Sequence, residues 1–112
     1  MSANPLAPSW LAFPDDANAL AESVWSRGTS RDASGVVSIA GTDAIALANE
    51  FGTPLFVVDE ADARGRAEEI RAAFDREFAR IGGSAKVYYA GKAFLTTEVA
   101  RWMIAAGLNI DV

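Results

Sequence analysis

The chain contains ten cationic residues, and only two are lysines, Lys86 and Lys92, both inside the stretch KVYYAGKAFL at Lys86–Leu95. Lys92 follows the apolar run Val87–Ala90, where a strand is expected to end. Strand side chains alternate, so Tyr88, Ala90 and, if the extended geometry persists, Lys92 face one way while Val87 and Tyr89 face the other. Ala90 is small and leaves room beside the lysine, and Gly91 lets the backbone turn or approach something closely. Functional groups gather at the carboxyl ends of parallel strands. A partly desolvated lysine there has a depressed pKa, and its neutral amine can attack a carbonyl and form a Schiff base. The same position also suits a surface lysine that snorkels just past a strand. Tyr88 and Tyr89 read as packing residues rather than acid or base groups.

The rest of the composition narrows the chemistry. The 112 residues include no cysteine and no histidine, so disulfides and thiolate metal sites are excluded. Catalysis by these residues alone must run on carboxylates, tyrosines, serines, threonines or lysines, and no metal site is expected. The net charge of −5 argues against nucleic acid as a partner. No apolar run approaches the ~20 residues of a membrane span. The first residues lack a basic segment followed by an apolar block, so no signal peptide is expected and a cytoplasmic location is the default.

The elements that must position Lys92 can be read from periodicity. Met1 to Asp16 reads as an irregular arm anchored at Trp10 and Phe13, with Trp25 also packing onto the body or a partner. Ala17 to Trp25 reads as a short helix and Ser26 to Gly35 as a loop. Val36 to Ile39 reads as a strand, with Thr42 or Asp43 capping a helix over Ala44 to Phe51 that Gly52 ends. Leu55 to Val58 reads as a strand and Asp59 as the cap of the next helix. There Ala63, Ala67, Ile70, Phe74, Phe78 and Ile81 make one apolar stripe that Gly82 and Gly83 stop. After Val87–Ala90, Thr96 or Thr97 starts a helix with the stripe Val99, Trp102, Met103 and Ala106, ended by Gly107. Leu108 to Val112 reads as a further strand. From Leu55 on, strand, helix, strand, helix, strand implies a parallel α/β arrangement. Two or three such strands with two helices leave apolar surface bare, as at the front end of a larger α/β protein.

Several motifs resemble one family in register. Tyr89-Ala90-Gly91-Lys92-Ala93 is similar to the cofactor-lysine motif of the fold-type III pyridoxal-phosphate decarboxylases, tyrosine-alanine-any-lysine-alanine at the end of the first barrel strand. Gly52 to Glu60, GTPLFVVDE, resembles the segment that leads into that barrel, and Val36 to Gly41, VVSIAG, fits the segment before it. Glu98 to Trp102, EVARW, and Gly107 to Val112, GLNIDV, resemble the second barrel unit. The likeness runs over about residues 23 to 112. Phe94 departs from the broader pattern, where asparagine is common, and leaves the lysine's role intact.

The resemblance implies a (β/α)8 barrel joined to a β-domain, of which this chain holds only the first part. Residues 1–35 would be the arm, 36–59 β-domain segments with a short helix, and 60–112 the first units of the barrel. It implies pyridoxal 5'-phosphate held by Lys92, with Ala90 packing near the cofactor ring and Asp111 an acidic neighbour of the lysine. From the residues alone, Ala90 also fits simple strand packing and Asp111 an exposed carboxylate. The implied reaction is decarboxylation of an amino acid, best matched to meso-diaminopimelate giving L-lysine and CO2, by a homodimer with active sites at its interface. Ornithine- or arginine-type decarboxylases share the barrel and the lysine. A non-catalytic module descended from such a barrel would share the element pattern without needing Lys92. The family's glycine-rich phosphate loop and the acid that pairs with the pyridine nitrogen have no match in these residues, so the chain is expected to be an N-terminal portion that is inactive alone.

Overall fold

The computed structural model describes residues 6, 8, 10 and 15–112. It is mixed α/β. Its elements are β1 (Thr29–Arg31), β2 (Val37–Ile39), β3 (Thr42–Asp43), α1 (Ala44–Phe51), α2 (Glu60–Ala79), β4 (Tyr88–Ala90), α3 (Thr97–Ala105) and β5 (Asn109–Asp111). β1, β2 and β3 form an antiparallel meander, with Ser30 opposite Ser38 and Ile39 opposite Thr42. β4 and β5 form a separate parallel pair, with Tyr89 opposite Ile110.

The helices begin where side-chain oxygens can satisfy their free N–H groups. Asp43 accepts from Ile45 and Ala46, Asp59 from Asp62, and Thr96 from Val99. α3 ends in a Schellman turn. The Leu108 N–H donates to the Met103 carbonyl and the Gly107 N–H to that of Ile104, with Gly107 at φ 83°. Arg71, reaching across from α2, donates its Nε to the Ala106 carbonyl at 2.9 Å.

The core lies where α2, α3 and the parallel pair meet. Ala67, Val99, Met103, Ala106 and Leu108 are buried there, with Ala63, Val87, Tyr89 and Trp102 packed against them. The stripe expected on α2 is therefore covered only over its first half. α3 has nine residues against the twenty of α2, so Phe74 and Phe78 stack on each other in the open and Ile81 is 79 % exposed. α2 also carries the i,i+4 pairs Glu60–Arg64, Asp62–Arg66 and Arg71–Asp75, each worth a few tenths of a kcal/mol.

Four expectations are corrected. Ala17 to Trp25 forms turns rather than a helix. Ser26 to Gly35 is not all loop, because Thr29–Arg31 pairs with β2. The Asp32 carboxylate, accepting from the N–H groups of Ser34 and Val36, closes that hairpin. Leu55 to Val58 makes no ladder with any described strand, and Phe56 is 92 % exposed; a β-prone run becomes a strand only where a partner offers its backbone groups. Trp10 is 80 % exposed and does not anchor the arm on the described residues, whereas Trp25, 39 % exposed, is partly covered; Phe13 lies outside the described residues.

The meander is fastened to α2 by a buried carboxylate. Asp59 is only 7 % exposed. Beyond capping α2, it accepts from the Ser26 hydroxyl at 2.8 Å, and that hydroxyl also bonds Thr29. The Asp62 backbone N–H, then the Ser26 hydroxyl, favour the charged form and hold its pKa below the usual carboxylate value against the opposing effect of burial. Arg27 adds an exposed bidentate pair with Glu69.

Two outcomes follow from these contacts. A carboxylate with a depressed pKa stabilises the fold in full above its unfolded value of ~4 and loses that contribution as pH falls through the lower folded value. Ser26→Ala is expected to raise the Asp59 pKa and to lower stability at neutral pH by about 1 kcal/mol, a loss that fades in acid. Carboxyl-carbon NMR titration and urea melts at several pH values read both. Gly107→Ala would place a Cβ 2.9 Å from Arg71 Cδ at a positive φ, so it is expected to cost at least ~1 kcal/mol. A helical circular-dichroism melt unchanged by that substitution would contradict the turn described.

Candidate functional site

The candidate site is the open edge of the parallel pair. α3 is the connection that lets β4 and β5 run parallel, since such strands cannot be joined by a tight turn. One face of the pair, with Val87, Tyr89 and Ile110, turns toward the helices. The opposite face carries Tyr88 and Ala90 from β4 and Asn109 and Asp111 from β5, all exposed. Ala90 and Asp111 are direct register partners. The alternation expected from the sequence is thus present, and it brings Ala90 and Asp111 side by side.

Lys92 follows at the carboxyl end of β4. The strand ends at Ala90, and residues 91–93 form a turn in which the Ala93 N–H donates to the Ala90 carbonyl at 3.0 Å. Gly91 continues the ladder by one bond, its N–H donating to the Asp111 carbonyl at 2.8 Å. Lys92 is therefore two residues beyond the Ala90–Asp111 pair and exposed on the turn. Lys92 is not among the residues that line the apolar recess between the helices and the strand pair.

On the helix side of the pair is an apolar recess of about 220 Å3, lined by Ala67, Tyr89, Phe94, Val99, Met103 and Leu108 among others. Phe94, just past the lysine turn, is among the lining residues and is half-exposed. The Tyr89 hydroxyl crosses the turn and donates to the Phe94 carbonyl at 2.5 Å. Sequence reasoning assigned Tyr89 to packing alone. Its ring does pack against the core, but the hydrogen bond ends on a backbone carbonyl, which leaves no mark in residue types or spacing.

The chain is similar over most of its length to part of several known proteins. It is 52 % identical over 105 residues to the diaminopimelate decarboxylase of Mycobacterium leprae, covering 94 % of this chain and 21 % of that protein. It is 54 % identical over 93 residues to that of Mycobacterium bovis, covering 83 % of this chain and 19 % of that protein. The Corynebacterium efficiens enzyme is 46 % identical over 98 residues, 88 % of this chain and 20 % of that protein. The chain is a relative of the diaminopimelate decarboxylases. It spans about a fifth of the length of these decarboxylases. No family model matches it. No helix among the described residues is long and apolar enough to cross a membrane.

Gly91 is the tightest point of the site. A Cβ there would lie 3.0 Å from the Asp111 carbonyl oxygen and 3.1 Å from Leu95 Cδ2. Gly91→Ala is expected to push β5 away and break the Gly91–Asp111 bond, with amide exchange at residue 91 faster by about tenfold, as loss of ~1.4 kcal/mol would give. Protection equal to that of the parent chain would show that the backbone has room to spare.

Proposed function

We propose that these residues are the N-terminal portion of a pyridoxal-phosphate-dependent decarboxylase that converts meso-diaminopimelate to L-lysine and CO2. Lys92 is the residue that would hold the cofactor. The observation that carries this reading is the place of Lys92, directly after β4 at the carboxyl end of a parallel pair, in a chain related to diaminopimelate decarboxylases. The names of the relatives favour diaminopimelate over ornithine- or arginine-type substrates.

The residues present fit the group. Lys92 is an exposed primary amine on the turn that follows a strand edge where Ala90 and Asp111 are register partners, and a primary amine is the group with which an aromatic aldehyde condenses. Pyridoxal phosphate, when bound, supplies the electron sink that loss of CO2 from an amino acid requires. Lys92 Nζ would bind its aldehyde carbon, Ala90 would leave space for the ring, and Asp111 would place a negative charge beside the amine. On this reading β4, α3 and β5 are the first units of a (β/α)8 barrel. The meander and α1 belong to an accompanying β-domain, and because β1 pairs with β2 the arm ahead of it ends before Thr29 rather than at residue 35. The whole enzyme acts as a cytoplasmic homodimer, and these 112 residues alone are inactive.

The test is to incubate the chain with pyridoxal phosphate, reduce with borohydride and map the modified peptides. The adduct is expected on Lys92 in clear excess over Lys86, and Lys92→Arg, which keeps the charge but cannot condense, is expected to abolish it. In the full-length polypeptide, Lys92→Ala is expected to bring CO2 release from meso-diaminopimelate to background. Equal labelling of the two lysines, or turnover that survives Lys92→Ala, would overturn the proposal.

A further inference from the structure

The turn that carries Lys92 is fixed at more points than a surface turn requires. The Gly91 N–H bonds the Asp111 carbonyl, the Ala93 N–H bonds the Ala90 carbonyl, and the Tyr89 hydroxyl bonds the Phe94 carbonyl. The third of these differs in kind. The Tyr89 ring is set against the buried cluster and lines the recess with Val99, Met103 and Leu108, so its hydroxyl is a fixed post rather than a mobile donor. It reaches over the turn from the strand before Lys92 to the residue two places after it. Phe94 also lines that recess, though it is 47 % exposed, so the hydroxyl of Tyr89 is the contact that holds the far side.

We propose that Tyr89 is a positioning residue for Lys92. Its hydroxyl staples residues 91 to 94 to the helix-packed core, so that the amine is presented from a backbone that does not wander. This inference rests on the reading of Lys92 as the cofactor lysine. A lysine side chain is long and freely rotating; holding its backbone narrows the arc its amine sweeps, and such restriction is what favours condensation at one amine over another. Lys86, the other lysine of the chain, precedes β4 and serves as the internal reference.

The experiment compares the parent chain with Tyr89→Phe, which keeps the ring in the recess and removes only the hydroxyl. Two quantities are read. The first is amide exchange at Gly91 and Ala93, with the α3 amides as control. The second is the ratio of Lys92 to Lys86 modified by pyridoxal phosphate. Amine and aldehyde condense with loss of water, and borohydride supplies the hydride that makes the product permanent. Tyr89→Phe is expected to speed exchange in the turn by about fivefold, the effect of losing a hydrogen bond of ordinary net strength. It is expected to leave α3 unchanged and to lower the labelling ratio by a similar factor. Faster exchange in α3 as well would mean that the hydroxyl supports the fold generally, and would overturn the assignment. A parent chain that labels Lys92 preferentially, with Tyr89→Phe indistinguishable from it, would overturn this inference and leave the cofactor lysine standing. A parent chain with no preference for Lys92 would overturn both.

Discussion

The parallel pairing of Tyr88–Ala90 with Asn109–Asp111 is the constraint from which the rest of this structure follows. Two strands running the same way need a connection long enough to return the chain to its starting end. α3 is that connection, and it holds its place by burying Val99, Met103 and Ala106. The turn at Gly107 then aims the chain into β5, and Arg71 donates to the carbonyl of the cap residue Ala106. Because both strands end at the same side, Ala90 and Asp111 come side by side and Lys92 follows at once. An antiparallel pair would have set the carboxyl end of one strand beside the amino end of the other.

The second organising contact is Asp59. A buried carboxylate is costly unless its oxygens are bonded, and both are: one by the first turn of α2, the other by Ser26. The same residue therefore starts the helix and docks the meander. The charges along α2 suit this arrangement. Glu60 and Asp62 stand in the first turn and Arg76 in the last, matching the partial charges of the helix ends. The pairs Arg71–Asp75 and Arg80–Glu77 support the helix where the apolar stripe finds no cover.

Elements that carry their own signals were legible in the sequence. The caps at Asp43, Asp59 and Thr96 are polar residues ahead of periodic apolar runs, and the stops at Gly82 and Gly107 are glycines just past them. The turn at Asp32–Gly35 also carries a legible pattern, since aspartate can accept two backbone N–H groups while glycine takes the positive φ. The polar strand Thr29–Arg31 before it hides its character, because it is recognised only through β2. Leu55 to Val58 fails the other way: its residues suit a strand, but pairing is a property of two segments. In the site, alternation placed Ala90 on the exposed face and the parallel order brought Asp111 beside it. The hydroxyl of Tyr89 could not be foreseen, since its acceptor is a main-chain carbonyl that any residue at position 94 would offer.

The twenty residues of α2 extend for about 30 Å, yet the helix is gripped near one end, at Asp59 and along Ala63 and Ala67. Geometrically it is a lever. A tilt of about 5° at the grip carries the far end, with Phe78 and the Gly82–Gly83 stop, through roughly 1–2 Å. Whatever strand or helix comes to rest on that distal apolar face therefore has mechanical advantage over the joint between the meander and the parallel pair.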